Sequence, residues 1–129
     1  MDDETQKMIE YIVDRTVIKL KMSGLMKDTR KTAYQKTEAL LRNYNTFSKV
    51  EDQPSTTKLM KIINEALDEI KDDPYYEIIP LIYFENATRE YVAEEFDTTV
   101  TTISRNKNRL VNKLKTRIFS DEVIYELFL

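Results

Sequence analysis

Residues 86–115 read NATREYVAEEFDTTVTTISRNKNRLVNKLK, and their spacing predicts two helices joined by a tight turn. Thr88 can cap the first helix, because its hydroxyl accepts from a backbone N–H that the first helical turn leaves unpaired. Val92 faces inward, Ala93 is small enough for a second helix to cross closely, and Phe96 closes the element with an apolar contact. The turn needs a residue that tolerates a left-handed backbone, and Asp97 is one of the few besides glycine that do. Thr98 or Thr99 then caps the second helix, which returns Ile103, Leu110 and Leu114 to the core at helical spacing. This is the layout of a helix-turn-helix.

The second helix carries hydroxyls and amides early and positive charge late. A helix lying in the major groove reads base edges with its N-terminal residues. The base-reading candidates are therefore Thr99, Thr101, Thr102, Ser104, Arg105 and Asn108. Arginine pairs with guanine, asparagine with adenine, and threonine methyls pack on the thymine methyl. Lys107, Arg109, Lys113 and Lys115 suit phosphate. Thr88 and Arg89, with the amides that begin the first helix, offer one more phosphate contact. Threonine is a poor helix former, so the run TTVTT is costly unless something uses it.

The formal net charge of −3 hides an asymmetry. Acids outnumber bases from Glu51 to Asp97, whereas residues 98–118 contain no acid and carry Arg105, Lys107, Arg109, Lys113, Lys115 and Arg117. Charge acts over roughly a Debye length, ~8 Å at physiological salt, so local charge decides a contact. Ordinary solvated helices mix signs; this one does not.

Working outward, every other segment also reads as helix, and the fold class is all-α, a helical bundle. Residues 5–22 place Met8, Ile9, Ile12, Val13, Val17 and Leu20 on one stripe, which Ser23-Gly24 is expected to end. Packing within the chain is expected for this stripe, with a homodimer as the alternative. Residues 30–47 form a second pattern through Tyr34, Thr37, Leu40, Leu41, Tyr44 and Phe47. After a break at residues 51–54, Ser55 or Thr56 caps a third helix carrying Leu59, Ile62, Ile63, Ala66, Leu67 and Ile70. Asp73-Pro74 starts a fourth, with Tyr75, Ile78, Ile79, Ile82 and Tyr83, and Pro80 should bend it and remove one hydrogen bond. Ser120 caps a last short helix whose Val123, Ile124, Leu127 and Phe128 need cover. The expected division is an N-terminal helical module, residues 1–72, and a helix-turn-helix unit, residues 73–129.

Composition excludes more than it selects. With no cysteine and no histidine, the usual zinc sites and histidine-dependent triads are ruled out, and the single glycine cannot build a phosphate loop. No carboxylate pair is singled out by its surroundings. No enzyme, metal or cofactor is expected. No apolar run approaches membrane-spanning length and no signal-peptide pattern opens the chain, so a cytoplasmic protein without membrane contact is the expectation.

The stretch YYEIIPLIYFENATREYVAEEFDTTVTTISRNKNRLVNKLK, within residues 75–119, resembles the region 4 domain of sigma-70-type transcription factors. Shared are an apolar helix ending in a Tyr-Phe-Glu segment, a threonine-capped helix, an Asp/Gly turn, and a helix with an early Ile and late leucines. KTAYQKTEALLRNYNTFS, residues 31–48, resembles the N-terminal part of small phage and prophage late-transcription regulators of the ArpU and Xpf type. These resemblances imply a helical bundle whose C-terminal unit binds a promoter element in double-stranded DNA while touching the RNA polymerase core. Where sigma factors often place Arg and Glu, this chain has Val100 and Thr101, so the DNA sequence read should differ. Asn106 stands where an apolar residue is usual, and no region 2, the part that opens promoter DNA, is recognisable. The expectation is a sequence-specific transcription regulator, a late-gene activator or sigma-like factor. The alternative is a protein-interaction module that binds polymerase or another regulator and has little DNA affinity of its own.

Overall fold

The computed structural model describes residues 2–28, 30–50 and 54–120. Every regular element among the described residues is helical and none is a strand, so the all-α class holds. No described helix is long and apolar enough to cross a membrane.

Helix α1 (Asp3–Lys27) is capped by Asp2, whose carboxylate accepts from the Thr5 amide at 2.7 Å, and Asp3 and Glu4 in its first turn suit the helix dipole. Ser23-Gly24 does not end it. Gly24 keeps a helical backbone with open space where a Cβ would be, and the helix stops at Asp28, whose N–H donates to Leu25. Met8 and Ile9 are 63% and 44% exposed, so this end of the apolar stripe is not covered within the chain as expected.

Helix α2 (Ala33–Arg42) opens with a reciprocal box: Thr32 accepts from the Gln35 amide, and the Gln35 side chain accepts from Thr32. The single helix expected over residues 30–47 breaks at Asn43. Its side chain donates to the Ala39 carbonyl at 2.7 Å, closing α2 before the short α3 (Tyr44–Phe47) and a 3-10 turn, Ser48–Val50. Helix α4 (Pro54–Ile70) starts one residue before Ser55, with proline in the first helical position where its missing N–H costs nothing. Leu59, Ile62, Ile63, Ala66, Leu67 and Ile70 are all buried, as their spacing predicts, and Met60 joins them.

The fourth expected helix takes another form. Residues 73–79 form overlapping turns, with Tyr76, Ile78 and Ile79 each donating three residues back. Asp73 accepts from the Tyr75 amide at 2.9 Å, closing a turn rather than capping the helix foreseen to start at Pro74. Proline at position 80 cannot donate, and from there the backbone widens into a π turn, Pro80–Phe84, closed by Glu85 N–H to the Pro80 carbonyl at 3.0 Å. That widening turns Tyr83 into the core.

Helices α5 (Arg89–Glu95) and α6 (Val100–Ile118) complete the described chain. α6 ties two clusters together. Ile103 packs with Ile78, Val92 and Ala93 beneath α5. Leu110, Val111, Leu114 and Ile118 enter the main core, with Leu40, Leu41 and Phe47 from α2 and α3 and the apolar face of α4. One core therefore spans residues 72/73, and the expected division does not separate two cores. Each fully buried aliphatic side chain contributes on the order of 1.5–3 kcal/mol. The expected short helix after Ser120 lies outside the described residues.

Candidate nucleic-acid interface

The α5–turn–α6 unit is built by three local devices. Thr88 caps α5 by accepting from the Tyr91 amide at 3.1 Å. Val92 and Ala93 are buried at the crossing, and Phe96 stacks on Tyr75 with ring centroids 5.5 Å apart. Asp97 adopts φ 51°, the left-handed conformation its position called for; Asn86, before α5, does the same at φ 56°. Thr99, not Thr98, caps α6, accepting from the Thr102 amide at 3.2 Å.

Helical geometry then sorts the candidates. Ile103, Lys107, Leu110, Val111, Leu114 and Ile118 form the buried stripe of α6. On the opposite face Thr101, Arg105, Asn108 and Asn112 are exposed, as is the capping Thr99. Thr102 and Ser104 are half-buried at the flanks. Ser104 accepts from Arg89 at 3.2 Å, which joins the start of α5 to α6. Asn108 accepts from the Tyr34 hydroxyl at 2.8 Å, so α2 holds one end of its amide.

The phosphate candidates divide. Arg89 and Lys113 are exposed and Lys115 is half-buried. Lys107 is only 6% exposed and donates to Glu38 at 3.4 Å. The same carboxylate oxygen accepts from the Tyr83 hydroxyl at 2.6 Å, and Arg42 lies 3.7 Å away. Burial works to raise the Glu38 carboxyl, but the hydroxyl and the two cations outweigh it and hold it below the usual range. Burial, reinforced by the bond to Glu38, pushes the Tyr83 phenol up. Lys107 thus ties α6 to α2 and the π turn, and its expected place among surface phosphate ligands is corrected: a buried charge stays where its partner is.

Arg109 is likewise engaged. Its guanidinium grips Asp73 at 2.7 and 2.9 Å, and both Nε and Nη2 donate to Asn106. Those hydrogen bonds hold the Asp73 carboxyl down at about 2, against the effect of burial. Asn106 also donates to the Thr102 carbonyl at 2.9 Å, so its amide is satisfied where an apolar residue was anticipated. Arg117 bridges Glu65 and Glu69 at 3.1 and 3.2 Å. The partners Tyr34, Glu38 and Asp73 are the site residues that sequence reasoning missed. They lie 74, 69 and 36 positions from the groups they hold, and no local pattern marks them.

The resulting surface is a hydroxyl-rich helix start with Arg105, which has no ion-pair partner among the described residues, flanked by Arg89 on one side and Lys113 on the other. It can donate to base edges and to phosphate oxygens. The chain matches no protein-family model, no curated protein and no solved structure.

Proposed function

We propose that the protein binds double-stranded DNA and regulates transcription, entering the major groove with the N-terminal half of α6. The observation that carries this reading is the acid-free face of Thr101, Arg105, Asn108 and Asn112, exposed while the opposite stripe anchors the helix. In this reading Arg105 addresses guanine, and the methyls of Thr101 and Thr102 meet thymine. Asn108 contributes whatever the Tyr34 hydroxyl leaves free. Arg89, Lys113 and Lys115 hold phosphates. The likeness to sigma region 4 extends the proposal to a promoter element of phage or prophage late genes, with RNA polymerase core as the protein partner.

Selection from a random-sequence duplex pool, followed by fluorescence anisotropy on the enriched duplex, tests it. Arg105→Ala should cost about 1–3 kcal/mol and relax preference at one base pair, whereas Lys113→Ala should weaken all sequences equally. Undiminished binding by the double variant would remove the site.

A protein-interaction module is the second reading. Three cations of α6 are engaged by carboxylates, and Glu90, Glu94 and Glu95 are exposed on α5. Salt separates the two readings, since phosphate binding weakens steeply with it. A pull-down with core polymerase identifies the partner.

A further inference from the structure

The basic face does not stop at α6. Arg117 reaches Glu65 and Glu69 while Arg109 reaches Asp73, so α4 and α6 run antiparallel, with the start of α4 beside the end of α6. An open groove runs between them, lined by Lys58 and Lys61 near the start of α4 and by Lys113 of α6, which lies level with the last turn of α4. All three lysines are exposed; no described carboxylate forms an ion pair with Lys58 or Lys61, and Lys113 acts on Asp73 only through longer-range attraction. The two acids that line the same groove, Glu65 and Glu69, share Arg117, which offsets one of their two charges, so the lysines leave the lining positive on balance.

We propose that α4 is part of the DNA interface, with Lys58 and Lys61 joining Lys113 to hold the sugar-phosphate backbone that flanks the bases read by α6. This rests on the DNA-binding reading above and assigns a partner to the N-terminal helices. Lys113 lies eight residues beyond Arg105, which is about 12 Å along the axis and roughly 80° around it. That offset carries it off the base-reading face toward α4. The major groove is about 12 Å wide and edged by phosphates, so a helix seated in it has backbone at its flank.

An acidic protein segment would need an apolar seat as well as charge. The groove offers none: Ile62, Ala66 and Ile70, its apolar floor, are all buried within the fold. What remains accessible is polar, the Glu65 and Glu69 carboxylates held by Arg117 and three ammonium groups on flexible stems, and those ammonium groups suit phosphate.

The test uses the full chain, a mixed-sequence duplex and a salt series. Lys58→Ala with Lys61→Ala should make the slope of log K against log salt shallower by about 1.8, from ~0.9 per phosphate contact. Loss of affinity should be equal on every sequence, the thermal midpoint should be unchanged, and Lys58→Arg with Lys61→Arg should restore the slope. An unchanged slope, in a chain whose binding still falls with Arg105→Ala, overturns the role of α4 and leaves the DNA reading intact. No duplex binding by the unaltered chain overturns both. An unchanged slope with binding to poly-glutamate lost in the double variant assigns the groove to an acidic protein and overturns the proposal.

Discussion

Asparagine at position 73 would keep the bond from the Tyr75 amide and remove only the charge that Arg109 grips. The bidentate contacts of 2.7 and 2.9 Å, the largest cause, together with the Tyr75 amide and Lys113 lower the Asp73 carboxyl from 3.8 to about 2. Fully shielded from water, that drop would correspond to about 2.4 kcal/mol, at ~1.36 kcal/mol per pH unit. The Arg109 side chain is 39% exposed, so solvent screening reduces the figure to about 1 kcal/mol. Because the folded carboxyl titrates below its unfolded value, the contribution is present in full above about pH 5 and is lost as the pH falls through 3.8 toward 2. Urea unfolding of Asp73→Asn and the unaltered chain should differ by about 1 kcal/mol at pH 7 and converge near pH 2. Equal midpoints at pH 7, or a gap that persists undiminished at pH 2, would refute this account of the pair. A double-mutant cycle with Arg109→Gln should recover the same coupling energy.

Two further outcomes follow from single residues. Asp97→Ile places a β-branched side chain at φ 51° and should cost about 1–2 kcal/mol by urea unfolding, whereas Asp97→Gly should be neutral or slightly stabilising. Lys107→Met should lower stability by about 1–3 kcal/mol, since it leaves the Glu38 carboxylate with less compensation; its slope of DNA affinity against salt should match that of the unaltered chain, because the ammonium is buried.

The local devices of the fold were legible in sequence. Thr88 caps where its neighbours predicted, Asp97 takes the left-handed backbone, and the apolar stripe of α4 is buried residue for residue. Each depends on groups within a few positions of one another. The fate of the cations on α6 was not legible, because charge density along one helix says nothing about Glu38 or Asp73 arriving from other elements. Gly24 misled for a related reason. A glycine can end a helix but does not compel it to, and α1 simply continues. The π turn was foreseen only as a bend: Pro80 announces a missing N–H, but which carbonyl then finds a partner is settled by how Tyr83 packs.

The joining of one core by α6 bears on how the chain is made. A ribosome releases the N-terminus first, so Leu40, Leu41, Phe47 and the apolar face of α4 emerge before Leu110, Leu114 and Ile118 exist to cover them. At about 5–20 residues per second, the interval from Phe47 to Ile118 is on the order of 4–14 s, during which amphipathic helices are open to chaperones and to one another. The helix proposed to touch DNA is also the keystone whose arrival ends that exposure, so truncations that remove it should lose solubility along with binding.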